Sequence, residues 1–257
     1  MKDYTIKSVD ARQIFDSRAN PTVEVEVTLA DGTVGRGMVP SGASTGAYEA
    51  LELRDKDHPE YLGGKGVKTA VRNVKGELAD YLIGKQANRQ MELDHGMIAL
   101  DGTNNKSRLG ANAILGCSIA IANASANENQ EPLYRYLGGA QAKTIPVPMI
   151  QIIGGGAHAG NVIDIQDFLV IPMSAKTFEE GFAMVVNVYN ATKKVFQKHS
   201  KPLAIADEGG FWPTDFKSNE EGLQLLTEGI ELAGYTPMKD IAIAMDIASS
   251  EFYNKET

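Results

Sequence analysis

The chain has 257 residues, 43% of them hydrophobic and 23% charged, with 33 acidic against 25 basic side chains and a formal net charge of −8. This is ordinary globular composition, long enough for one large or two medium domains, and its acidic balance argues against nucleic acid, which selects a basic face. A single cysteine rules out an internal disulfide, and no stretch is long enough to span a membrane; with no signal-peptide apolar core at the N-terminus, the expectation is a cytoplasmic protein.

The first predicted element alternates. Val23, Val25, Val27 and Leu29 share one face of Pro21–Leu29, and Thr22, Glu24, Glu26 and Thr28 the other. Asp31-Gly32 supplies a hairpin turn, and T-V-G-R-G-M-V returns as a second strand. A loop of small residues follows, P-S-G-A-S-T-G at 40–46. Helical patterns run near 66–84 and 107–127, joined by the polar D-G-T-N-N-K-S. Cys117 sits in the small-residue run of the second helix and reads as a buried structural thiol. Residues 1–135 therefore read as an α+β domain.

The Gly- and Pro-rich segment 132–148 marks a boundary, and the grammar changes beyond it. V-P-M-I-Q-I-I and F-L-V-I-P read as strands around a G-G-G-A-H-A-G-N loop. Two helices carry capping-box spacings, Thr177 with Glu180 and Ser218 with Glu221. The first shows a stripe of Phe178, Phe182, Val185 and Tyr189; the second carries Leu223, Leu226 and Ile230 and stops at Gly234. From Pro146 the order is strand, strand, helix, strand, helix, strand. Over 140–257 this predicts an α/β unit that is about half of a TIM-type barrel.

Two apolar runs end in carboxylates: L-A-I-A-D-E-G-G at 203–210 and I-A-I-A-M-D at 241–246. Runs of this kind suit strands buried on both faces, and a helix between them lets them lie parallel. Barrel chemistry gathers at C-terminal strand ends, where Asp207, Glu208 and Asp246 would fall, and converging carboxylates call for a divalent cation such as Mg²⁺. Two nucleotide readings fail. P-S-G-A-S-T-G lacks the lysine of a P-loop, and the G-x-G-x-x-A match at Gly154 precedes a strand, not a helix. If the two strands around that loop are antiparallel, His158, Gln166 and Asp167 join Glu208 and Asp246 on one rim.

A set of segments running in order along the whole chain resembles the enolase family. They are F-D-S-R-A-N-P-T-V-E-V at 15–25, P-S-G-A-S-T-G at 40–46, E-A-L-E-L-R-D at 49–55 and L-D-G-T-N-N-K-S-R-L-G-A-N-A-I-L-G at 100–116. P-V-P-M at 146–149, H-A-G at 158–160, I-Q-D-F at 165–168, D-E-G-G-F at 207–211 and M-D-I-A-S-S-E-F-Y at 245–253 continue the series. The resemblance implies an enolase-like N-terminal domain followed by an incomplete TIM-type barrel. It also implies Mg²⁺-assisted dehydration of 2-phosphoglycerate, a phosphorylated hydroxy acid, to phosphoenolpyruvate. Its metal aspartate matches Asp246, and Ser44 matches a residue that helps ligate a second ion as the loop closes. Glu208 matches the acid on the leaving hydroxyl, a role that suits a carboxyl crowded by other anions. His158, Gln166 and Asp167 match the substrate region, Asp167 also falling among the catalytic positions, and Asp207 is expected to support its loop.

The chain departs from the family in places. Asp167 stands where enolases usually carry Glu, one methylene longer. Gly154-Gly155-Gly156 replaces the usual N-G-G, and Ala19 interrupts S-R-G-N-P. The family's remaining acidic ligands, its lysine base and its phosphate-holding groups have no counterpart in these residues. These 257 residues alone are therefore expected not to turn over, and the lone half-barrel to be unstable. Homo-oligomers built through the N-terminal domain, with a cell-surface fraction, are also implied. An enolase-superfamily dehydratase for another acid and a non-catalytic paralogue or surface-binding protein remain as alternatives.

Overall fold

A computed structural model describes residues 2–42, 44–212 and 214–254. The chain divides into two compact units, 1–42 with 48–143 and 43–47 with 144–257.

In the first unit, β1 (Ile6–Phe15), β2 (Pro21–Leu29) and β3 (Val34–Met38) form an antiparallel sheet in that order. The alternation in β2 places Val23, Val25, Val27 and Leu29 in the core with no exposure. On its other face Glu24 pairs with Arg12 of β1 and lies 3.6 Å from Arg36 of β3. That face of the middle strand is flanked on both sides, so Glu24 is buried too. Strand β1 escaped the sequence pattern because its pairing shifts between Ile6 and Ser8, so that Ile6, Val9 and Ala11 face inward out of simple alternation.

The expected first helix is irregular: α1 (Lys68–Asn73), a π-helical turn over Val74–Leu78, then α2 (Ala79–Leu82). The sequence reading missed α3 (Gln90–Asp101) and α5 (Leu133–Gly138). The small-residue run forms α4 (Ala111–Asn129), which lies directly on the sheet. Its backbone comes so close that a Cβ at Gly35 would sit 2.1 Å from the Ala124 nitrogen, and one at Gly37 2.4 Å from the Gly116 carbonyl. Cys117 is buried in this contact, which pushes its thiol up to about 12 and leaves it inert.

In the second unit, β4 (Ile150–Gly154), β5 (Asp167–Pro172), β6 (Ala204–Ile205), β7 (Phe211–Trp212) and β8 (Ile241–Asp246) form one sheet in the order β6-β7-β4-β5-β8. Helices α6 (Phe178–Lys198) and α7 (Asn219–Leu232) pack together and against β4 and β5. Both begin on the expected caps. Thr177 Oγ1 accepts from Glu180 N–H at 3.1 Å and Ser218 Oγ from Glu221 N–H at 3.2 Å.

Four expectations need correction here. The run at 203–206 forms only two strand residues, then turns back through Asp207–Gly210 to pair antiparallel with β7, so the third expected strand is a short hairpin. The two carboxylate-ended runs are therefore not parallel neighbours. Followed through the pairings they run in opposite directions, at the two edges of the sheet. As edges they are not buried on both faces: exposure along β8 rises from 0% at Ile241 to 46% at Met245. Finally, only half of the expected α6 stripe faces inward: Val185 is buried and Tyr189 packs against the core, but Phe178 and Phe182 stack on each other at the surface, and Met184, Val188, Val195 and Phe196 complete the buried face. Gly181 lies against Pro172 and fixes that rotation of the helix.

Candidate active site

Strands β4 and β5 pair antiparallel with Gly154 opposite Asp167, so the end of one strand and the start of the next share a rim. The loop between them places His158 in a short 3₁₀ turn, and the β6–β7 turn delivers Asp207 and Glu208 to the same place. One ligand atom from each of His158, Asp167 and Glu208 lies within 4.8 Å of the others.

The imidazole of His158 is buried, with its side chain 3% exposed. Its Nδ1 lies 2.7 Å from Asp207 Oδ1 and its Nε2 3.5 Å from Glu208 Oε2. A carboxylate only accepts, so the shorter contact puts the Nδ1 proton on the Asp207 side and turns Nε2 toward Glu208. Asp207 thus orients the ring while Glu208, with its side chain 46% exposed, stays open to a ligand.

The buried Asp167 carboxylate takes one amide on each oxygen. Gln151 Nε2 donates to Oδ1, and Gln166 Nε2 donates to Oδ2 at 3.2 Å. Gln166 Oε1 is buried with no hydrogen-bond partner, an acceptor waiting for a donor. The loop before Gln166 is tied to the first turn of α7, where Asn219 accepts from the Asp164 and Ile165 N–H groups at 3.0 and 3.1 Å.

Asp246 stands opposite Asp167 in the β5–β8 register but is exposed and outside the His158–Asp167–Glu208 group. Its Oδ1 accepts from Ala248 N–H at 3.0 Å, which holds the carboxylate at the strand end. Ser44 is half-buried in a bend; among the described residues no hydrogen bond joins it to these groups, and the neighbouring Thr45 N–H donates to Glu251 at 3.1 Å. Ala43 of the same loop lies outside the described residues. The structure thus gathers His158, Gln166, Asp167 and Glu208, with Asp246 one strand away.

The sequence reading passed over Gln151. It sits in an apolar run and reads as an ordinary strand residue. Its signal was that it is the one polar side chain there, three positions before Gly154-Gly155-Gly156.

Residues 6–137 match the family model "Enolase, N-terminal domain", and residues 142–257 match "Enolase, C-terminal TIM barrel domain". The chain belongs to the enolase family. It is 65% identical over 256 residues to "Enolase 1" of Desulfitobacterium hafniense (strain Y51), an alignment covering 100% of this chain and 58% of that protein. The chain therefore spans less than two thirds of the length of this curated relative. Within it, no helix of the described residues is long and apolar enough to cross a membrane.

The donor chemistry can be tested against the cation that enolases use. Mg²⁺ takes oxygen ligands, keeps several waters and needs only one or two carboxylates, whereas imidazole suits transition metals. The exposed Asp246 carboxylate and the Ser44 hydroxyl are donors of the first kind. The His158–Asp167–Glu208 group, with its imidazole, is better matched to a polar organic ligand.

Proposed function

We propose that the protein dehydrates 2-phosphoglycerate to phosphoenolpyruvate, the reaction of its family. The observation that carries this reading is one rim of the sheet on which an open carboxyl group, Glu208, stands beside a buried imidazole and a doubly hydrogen-bonded carboxylate. Glu208 is the proton donor to the departing hydroxyl. His158, held by Asp207, stands behind it with Nε2 3.5 Å from the Glu208 carboxyl. The Gln166 oxygen accepts a hydrogen bond from the substrate's one hydroxyl group and so sets the orientation of the bond that breaks, while the Asp167 carboxylate, held by two amides, lines the same rim. Asp246 would hold one Mg²⁺ and Ser44 would help hold a second, and the ions would supply stabilisation of the negative charge that develops on the substrate carboxylate.

Removing a proton beside a carboxylate also needs a base. The family resemblance gives that role to a lysine that matches none of these residues. Cytoplasmic location and assembly with a second copy through the N-terminal unit belong to the same reading. The test follows phosphoenolpyruvate by its ultraviolet absorbance with Mg²⁺ and 2-phosphoglycerate, on the native protein. Absorbance growth that vanishes on chelation supports the proposal, and turnover of other hydroxy acids in preference to 2-phosphoglycerate contradicts it.

A further inference from the structure

We propose that Gln151 is the positioning residue of this site: one side-chain amide that sets the separation of Asp167 and Glu208 and ties both to the Asp207–Gly210 turn. Its Nε2 donates to Asp167 Oδ1 and to Glu208 Oε2, the latter at 3.3 Å, while its Oε1 accepts from Gly210 N–H at 3.0 Å. Both donor hydrogens and the acceptor are thereby used on three separate parts of the rim.

The backbone is shaped around this amide. The β4–β5 pairing slips at Gln151, with Gln151 opposite Leu169 and Ile153 opposite Phe168, and such a bulge re-aims a strand side chain beside a site. Two glycines leave room for the amide. A Cβ at Gly210 would lie 2.5 Å from Gln151 Oε1, and one at Gly154 would lie 3.2 Å from Nε2 and 2.8 Å from the Ala206 Cβ. A shorter amide at 151 would leave the Asp167–Glu208 spacing unset, and a longer carboxyl at 167 would close the same gap from the other side. Gln151 and Asp167 therefore act as a pair whose combined reach matters, not as two independent contacts.

The turnover arm of the test rests on the proposed dehydration; the exchange arm does not. Gln151→Asn is expected to lower kcat on the order of 100-fold with KM nearly unchanged, as misplaced catalytic groups do, and Asp167→Glu added to it is expected to recover most of the loss. Gln151→Glu is nearly isosteric. It keeps an acceptor for Gly210 but sets a third carboxylate against two others, so kcat is expected to fall while Gly210 amide exchange stays slow. Gln151→Leu removes the acceptor, and Gly210 exchange is expected to accelerate roughly tenfold. The Val170 amide, inside β5, reports whether each variant is folded. Gly210 exchange unchanged in Gln151→Leu, or no recovery in the Gln151→Asn, Asp167→Glu double variant, overturns the proposal. A wild-type protein that does not turn over 2-phosphoglycerate, yet shows the exchange pattern, removes the reaction and keeps the tether.

Discussion

The two sheets solve opposite problems. In the first unit the middle strand buries Val23, Val25, Val27 and Leu29 completely, and a helix of small residues lies so close that Gly35 and Gly37 cannot carry a Cβ. In the second unit β5 is buried at Phe168 and Val170, but the sheet opens toward its edges, where Ile205 is 52% exposed and Met245 46%. Where backbones close on one another, residues serve packing and a substitution is felt at once. Where strand ends stay open, there is room for carboxylates and an imidazole to gather on turns. The lesson is that the candidate site sits in the looser half, on turns held by side-chain hydrogen bonds and not by close packing.

The sharpest way to break this contrast is Gly35→Ala. With its Cβ 2.1 Å from backbone of α4, the substitution is expected to cost at least about 3 kcal/mol in urea unfolding, because the helix must shift. A loss under ~1 kcal/mol would show that the first unit is not closed in this way. Next comes Thr177→Ala in the second unit, which removes the cap on α6 and is expected to cost about 1 kcal/mol by the same measurement.

A pH experiment separates charge from packing. Lys201 hydrogen-bonds the Glu221 carboxyl and holds it below the ordinary carboxylate range, although partial burial opposes this. A depressed folded-state value means that the contribution is whole above the unfolded value of about 4.3 and is lost as pH falls. Lys201→Met is therefore expected to be less stable than wild type at neutral pH by under ~1 kcal/mol, with the difference shrinking toward pH 3. A difference that holds steady with pH would assign Lys201 to packing alone. The smallest effect is expected from Met245→Ala at the open edge, within about 0.5 kcal/mol, set against the core substitutions of the first unit.

Much of the fold could be read from particular residues. The valines of β2, the caps at Thr177 and Ser218 and the stop at Gly234 report local chemistry that tertiary packing does not override. Strand β1 was hidden by its bulge, and the rotation of α6 was set by the Gly181–Pro172 contact, which no helical stripe announces. The run at 203–206 looked like a full strand because its composition is apolar, yet the Asp207–Gly210 turn reverses it after two residues. Four site residues, His158, Gln166, Asp167 and Glu208, were named from motifs and meet on one rim. Asp207 was expected to support a loop and in addition orients His158. Gln151 stayed out of view because its meaning comes from three partners distant in sequence.

The most direct measurement is the rate of phosphoenolpyruvate formation by the native protein with Glu208→Gln beside wild type. Replacing the open carboxyl by an amide of the same shape removes the proposed proton donor and leaves the rim otherwise intact. The expected result is a loss of kcat of about 100-fold or more, in line with general acid catalysis, with substrate binding retained. A Glu208→Gln protein that turns over at the wild-type rate would contradict the assignment of this rim as the place where the hydroxyl leaves.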